Sequence, residues 1–353
     1  MPPQFIANIS KTKKRRIKPN KRKNNRKESY MYYIGIDIGG TNVKAGLLDK
    51  EGKILAKSSI PTSKSKGYTA IVESVSEQVK KLVSDAGTTM DEVAGIGIGC
   101  PGIITSKTGV VDYSCNLAWN NVPLASAFTE KLGKPTFVSN DANVAALGEA
   151  MFGTGKNYKD VIFVTLGTGV GGGVIIDGKL FEGFESKGAE LGHMVIVKDG
   201  EPCGCGRRGC MEAYCSATAL IRDTKRAMTK NKQSSMWQFV EGDINKVDGR
   251  VAFECSKTGD PAAKEVIDNY VACLGEGLSN FINIFRPQAI ILGGGVCAQG
   301  DYLVVPVQKY TDEHTYGGGR APRTLILTAT LGNDAGLIGA ASLAISKLGK
   351  KAK

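Results

Sequence analysis

The sequence predicts an α/β fold of two halves that face each other, both derived from one duplicated unit. The first half opens with the β-rich run Tyr32-Tyr33-Ile34-Gly35-Ile36, which enters Asp37-Ile38-Gly39-Gly40-Thr41. Asn42 to Leu48 and Lys53 to Ser59 then flank the turn Asp49-Lys50-Glu51-Gly52. The second half repeats this layout: the strand Val161–Leu166, a loop Gly167-Thr168-Gly169-Val170-Gly171-Gly172-Gly173, Val174 to Ile176, and an Asp177-Gly178 turn. Elsewhere strands alternate with helical patterns, as in folds that layer helices on sheets.

The other elements follow in order. Ile71, Val75, Val79 and Leu82, with Val72 and Val83, recur at helical spacing. Val93 to Ile98 reads as a strand ending in Gly99-Cys100-Pro101-Gly102. A helix near 124–132 and a strand at 136–138 lead to Ser139-Asn140-Asp141, and a helix over 142–151 closes the first half. The second half continues with a long helix over 261–285, the strand 289–292 followed by Gly293-Gly294-Gly295, a strand at 324–328 and a last helix over 335–348.

At 353 residues there is room for about two domains and a large core. Hydrophobic residues are 42% and charged residues 23%, ordinary for a globular protein. The net charge of +12 is concentrated at one end. Residues 1–30 hold eleven Lys/Arg and one acid, Glu28, so they carry +10 and leave +2 for residues 31–353. This tail is aperiodic and is expected to be disordered. It either has no role, even lying upstream of a true start at Met31, or touches an anionic surface by charge alone, or acts in targeting. The nine cysteines follow no secreted framework, and there is no signal peptide and no apolar run near 18 residues, so a cytoplasmic location is expected.

Several residues carry chemistry. Gly39-Gly40-Thr41 and Gly167-Thr168-Gly169 each follow a strand, where glycine lets backbone N–H groups approach phosphate oxygens and threonine adds a hydroxyl. Gly294 lies in a third such turn. Neither of the first two matches a Walker lysine pattern or a dinucleotide fingerprint, but a pair in equivalent halves points to nucleotide phosphates. Asp37, at a strand end, suits hydrated Mg²⁺ beside those phosphates. Asp141, at another strand end, either takes the proton of an attacking hydroxyl or caps the helix that follows. His193, Cys203, Cys205 and Cys210 make a Cys3His set for structural Zn²⁺, with glycines at 204, 206 and 209 letting the chain wrap a small ion. The competing reading is buried or disulfide-bonded cysteines, although a Cys203–Cys205 disulfide would close a very small strained ring. Glu190 and Glu212 bracket this cluster and could accept hydrogen bonds from ligand hydroxyls.

From Met31 onward the chain resembles the ROK family of bacterial sugar kinases and repressors, within the actin-like/hexokinase ATPase superfamily, and looks most like its glucokinases. The matching stretches are Asp37–Thr41, Pro101-Gly102, Asn116-Leu117-Ala118-Trp119, Asn140-Asp141-Ala142-Asn143, Leu166–Gly173, Glu190–His193 and Cys203–Glu212. The resemblance implies an actin-like/hexokinase fold: two α/β domains from a duplicated ribonuclease H-like unit, with a cleft between them. The expected division is the tail 1–30, a small domain of 31–139 completed by a C-terminal helix at 335–350, and a large domain of 140–334 with the zinc loop. It also implies ATP-dependent phosphorylation of a hexose, foremost glucose, with Asp141 as general base. Sugar contacts are implied for Asn140, Asp141, Glu190, His193 and Glu212, and zinc for His193, Cys203, Cys205 and Cys210. The nucleotide, with its Mg²⁺, is expected on Asp37, Gly39, Gly40, Thr41, Gly167, Thr168, Gly169 and Gly294. Expected partners are the hexose and further copies of the chain in a homodimer or higher homo-oligomer, with no membrane and no specific nucleic acid.

Other hexoses (mannose, fructose, N-acetylhexosamines) and polyphosphate as donor stay open, because small pocket differences move discrimination by only about 1–3 kcal/mol. A sugar-responsive regulator of the same family is the competing class. Such regulators place a DNA-binding domain of about 60–80 residues ahead of the fold, whereas 30 residues precede the first strand here and depart from the family pattern.

Overall fold

Alternation along the first strand sets the layering of the molecule. In β1 (Tyr32–Ile38), Ile34, Ile36 and Ile38 point to one side and are fully buried, while Tyr33, Gly35 and Asp37 point to the other. The structure, a computed structural model, describes residues 32–349. The basic tail lies outside the described residues.

The chain continues through β2 (Asn42–Asp49), β3 (Ile54–Pro61) and the amphipathic helix α1 (Gly67–Asp85) to β4 (Val93–Cys100). Three short strands follow: β5 (Ile103–Thr105), β6 (Val110–Ser114) and β7 (Trp119–Val122). Then come α2 (Leu124–Leu132), β8 (Thr136–Asn140) and α3 (Asp141–Phe152). The second half comprises β9 (Val161–Leu166), β10 (Val170–Ile176) and β11 (Lys179–Phe181), then α4 (Glu212–Cys215), α5 (Ala217–Lys230), α6 (Met236–Phe239) and α7 (Val251–Lys257). It ends with α8 (Pro261–Phe285), β12 (Ala289–Gly293), α9 (Asp301–His314), β13 (Leu325–Thr328) and α10 (Ala335–Gly349).

The two large sheets have the same construction. Their orders are β3-β2-β1-β4-β8 and β11-β10-β9-β12-β13. In each, a three-stranded antiparallel meander is extended by two parallel strands. The expected duplication is therefore present strand for strand, and it is the arrangement of an actin-like ATPase fold. The third sheet, β5-β6-β7, has no counterpart among the expected elements. Its strands span only three to five residues, and a register shift interrupts β5 against β6, so no period-2 pattern forms.

Each face of the first sheet has its own cover. The isoleucine face packs on α1 and α2 around Val75, Val79, Leu124 and Phe128. The other face carries Gly35, Gly46, Gly95, Gly97 and Gly99, and α10 lies directly on it. A Cβ on Gly35 or Gly97 would strike the carbonyls of Leu337 or Ala340. Glycine is used here for close backbone approach rather than for a turn.

A similar requirement corrects one sequence reading. The loop expected over 167–173 ends at Gly169, and β10 begins at Val170. Gly171 and Gly173 are strand residues on which α3 rests: added Cβ atoms would meet Ala142 at 3.1 Å and Ala146 at 2.5 Å. The second core gathers the apolar faces of β9, β12, α7 and α8. α8 runs for 25 residues because its start is well made, with Pro261 in the first turn and the Asp260 carboxylate accepting the Ala263 N–H at 2.9 Å. It stops at Arg286, which adopts a left-handed conformation (φ 44°). Among the described residues, no helix is long and apolar enough to cross a membrane.

Candidate active site

A cleft of about 960 Å³ runs between the two large sheets, at the upper end of what small-ligand sites enclose. Asp37 reaches it from the end of β1, Asp141 from the first turn of α3, and Gly167, Thr168 and Gly169 from the β9–β10 turn. Gly294 lines it after β12, and His193 and Glu212 enter from the cysteine-rich loop.

Asn140 and Asp141 divide the labour at the start of α3. Asn140 is the cap: its Oδ1 accepts the N–H groups of Ala142 at 2.9 Å and Asn143 at 3.4 Å, and its Nδ2 donates to the Gly102 carbonyl at 3.2 Å. Capping is thus supplied by the neighbour, and the Asp141 carboxylate opens onto the cleft. Surrounding protein strips water from it and pushes its pKa above the ordinary aspartate value, while the N–H of Ala142, 2.9 Å away, and its own N–H pull the other way. The Asp37 carboxyl is also raised, first by burial, with the Asp141 charge adding to the rise and Lys44, 3.9 Å away, opposing it. Gly336 leaves the space Asp37 occupies, since a Cβ there would sit 2.8 Å from the carboxylate.

The turn after β9 is braced from behind. The Gly167 N–H donates to the Gly169 carbonyl at 3.0 Å, and Ala217 N–H and Thr218 Oγ1 at the start of α5 donate to the Gly167 and Thr168 carbonyls, both at 2.8 Å. Glu212 joins this turn to the cysteine loop. Its carboxylate accepts the Val170 N–H at 3.0 Å and lies 3.4 Å from Cys203 Sγ. A Cβ at Gly169 would run into that carboxylate and displace it.

The donor atoms of His193, Cys203, Cys205 and Cys210 all lie within 4.8 Å of one another. A tetrahedral zinc with Zn–S bonds of about 2.3 Å and a Zn–N bond of about 2.05 Å needs S···S separations of about 3.8 Å and S···N of about 3.6 Å. Cys205 Sγ and Cys210 Sγ are 3.7 Å apart, and Cys203 Sγ is 3.6 Å from His193 Nδ1. The donor set fits the ion in type and in spacing. Every cysteine is a free thiol, so the disulfide alternative is not realised.

Some expected site residues stand apart from the cleft lining. Gly39, Gly40 and Thr41 form the β1–β2 turn, closed by the Gly39 N–H on the Asn42 carbonyl at 2.9 Å, and Thr41 is exposed. Glu190 is exposed in a shallow hollow shared with Phe281, Ile284 and Phe285. Asn140 works in its cap.

The profile of the ROK family matches residues 33–347. The chain belongs to the ROK family. This ROK chain is 37% identical to a glucokinase of Streptomyces coelicolor over 313 residues, which cover 88% of the chain and 96% of that protein. A solved ROK family glucokinase from Streptomyces griseus, in complex with glucose and AMPPNP, superposes with a TM-score of 0.74 at 36% identity, covering 89% of this chain and 99% of that one. Similarity extends to the xylose repressor of Bacillus subtilis, 30% identical over 89% of this chain and 77% of the repressor.

The ROK cleft also has a lining that motif reading left unassigned. Asn116 enters from the segment between β6 and β7, Thr165 and Phe163 from β9, and Asn333 and Gly336 from the approach to α10. Asn116 stood within a matching stretch and so had a signal. Asn333 and Gly336 had none, because they reach the cleft only through the return of the last helix to the first sheet.

Proposed function

We propose that this ROK protein is an ATP-dependent hexokinase that converts glucose to glucose 6-phosphate. The observation that carries the reading is the position of Asp141, which shares one cleft with the braced Gly167–Gly169 turn, Glu212 and His193. The sugar hydroxyl oxygen attacks the γ-phosphorus, the bond from that phosphorus to the bridging oxygen breaks, ADP departs, and Asp141 accepts the hydroxyl proton. Glu190, His193, Glu212 and Asn140 orient the sugar. Glu190 has to turn inward from its hollow to do so. The backbone N–H groups of Thr168, Gly169 and Gly294 receive the phosphates, and those of Gly40 and Thr41 join them once the β1–β2 turn moves to the cleft, while the Gly167 and Gly39 N–H groups hold their own turns. Asp37 would hold Mg²⁺, which would supply charge neutralisation along the phosphate chain. His193, Cys203, Cys205 and Cys210 would hold Zn²⁺, which fixes the loop that carries two sugar ligands.

In this reading residues 31–139 with 335–350 form a small domain and 140–334 a large one, and the protein works in the cytoplasm as a homo-oligomer. A panel of hexoses assayed with ATP and with polyphosphate tests it. ADP formation dependent on glucose is the expected outcome, and no turnover of any hexose with either donor overturns it. The likeness to xylose repressors supports a second reading, a sugar-responsive regulator. That reading predicts sugar-dependent DNA binding without phosphoryl transfer, so the same panel with a binding assay separates the two.

A further inference from the structure

Outside the cleft lining, a short segment after β11 reaches across from the second sheet to the first. Glu182 Oε1 accepts two hydroxyls, Ser106 Oγ at 2.6 Å and Ser139 Oγ at 2.7 Å. Ser186 Oγ accepts the Ser106 N–H at 3.3 Å, and the Lys187 ammonium lies 3.1 Å from Asp112. Asp112 is itself held by Thr105 Oγ1 at 2.9 Å. The segment is a closed loop: the Gly188 N–H returns to the Glu182 carbonyl at 2.8 Å, and the Gly183 and Gly188 backbones touch. Glu185, Ser186 and Ala189 all take left-handed backbone angles within it.

Its two ends matter for the chemistry. Ser139 is fully buried at the end of β8, immediately before Asn140 and Asp141. Downstream, the same segment runs directly into Glu190-Leu191-Gly192-His193. Whatever fixes Glu182 to Ser139 therefore fixes the start of α3 relative to the sugar loop.

We propose that Glu182 is a positioning residue that sets Asp141 against the bound sugar by clamping Ser139 and Ser106 together. This rests on the reading of Asp141 as the general base. Both hydroxyls converge on a single oxygen, so the property required is a well-placed acceptor rather than a negative charge. Glutamine keeps that oxygen and leucine keeps only the shape.

Glu182→Leu and Glu182→Gln, each in the full chain, test the proposal. The leucine variant loses about tenfold to a hundredfold in kcat, the scale of a misplaced reacting group, while KM for ATP stays within about twofold. The glutamine variant recovers to within about threefold of wild type, because its amide oxygen still accepts. Hydrogen exchange over residues 136–143 speeds up in Glu182→Leu and stays at the wild-type rate in Glu182→Gln. The proposal is overturned by a leucine variant with wild-type turnover and exchange, by a glutamine variant as impaired as leucine, or by loss of ATP and sugar affinity together with a lower melting point. Should the wild-type protein phosphorylate no hexose, the kinase reading fails, and exchange at 136–143 then decides the clamp alone: selective acceleration in leucine supports it, and unchanged rates sink it.

Discussion

Burial raises the pKa of both Asp141 and Asp37, and under the proposed function the Asp141 shift should set the acid side of the activity profile. Only the carboxylate of Asp141 can take a proton, and its pKa is raised by burial. Activity should therefore fall with acidification at a higher pH than for an ordinary aspartate, with kcat against pH as the measurement. The folded state binds these protons more tightly than the unfolded chain, so these two groups lower stability as pH rises from the unfolded pKa to the folded one. Asp141→Asn should lose about 10²–10⁴ in kcat and keep its sugar affinity. A variant retaining more than about a tenth of wild-type turnover would show that Asp141 is not the base. The same substitution removes the charge that helps raise Asp37, so the Asp37 pKa should fall, which carboxyl NMR can follow. Asp141, His193 and Glu212 line one cleft, and the sequence pointed to them together only through the family resemblance, because position alone left Asp141 open between base and cap. That Asn140 makes the cap was not expected from the sequence, although asparagine is a good capping residue, and the hydrogen bonds decide it.

At the scale of elements, glycine positions and the cysteine loop are the sensitive points. The alternation Gly95-Ile96-Gly97-Ile98-Gly99 places isoleucine against α1 and α2 and bare backbone against α10 at Gly95 and Gly97 and against α3 at Gly99. Gly97→Ala should cost about 1–3 kcal/mol by overpacking against the Ala340 carbonyl, read from chemical denaturation. The pattern marks a strand in the sequence but does not say that a helix will lie flat on it, because that contact is with residues far along the chain. Cys205→Ser removes one donor of the Cys3His set, and the loop to Glu212 should lose its fixed geometry. KM for sugar should rise well above any change in KM for ATP, with zinc content measured by mass spectrometry in the same preparation. Zinc-free wild-type protein with normal sugar affinity would rule out this role for the metal.

For the molecule as a whole, one cleft lined by Asp37 from the first sheet and by the Gly167–Gly169 turn from the second should, under the proposed function, close on the substrate and keep water from the γ-phosphate. Small-angle scattering should show a smaller radius of gyration when glucose is added, and an unchanged radius counts against closure. The paired meanders of the two sheets were readable from the repeated strand–turn–strand layout. The third sheet was not readable, for want of period, and the return of the last helix was expected only from the family resemblance, because no local pattern reports so long-range a contact.

That return has a consequence for how the protein is made. The core between the second sheet and α8 draws its members from β9 onward and includes no residue of α10, whereas the sheet's opposite face, through Val161, Phe163 and Ile291, shares a cluster with Leu343 of α10. On the glycine face of the first sheet, Gly35, Gly46, Gly95 and Gly97 stay bare until residues 335–349 have cleared the ribosome tunnel, although their strands were among the first to emerge. Both sheets therefore wait for the last helix, the first sheet for longest, and during that interval its uncovered face is the surface a nascent-chain chaperone would meet.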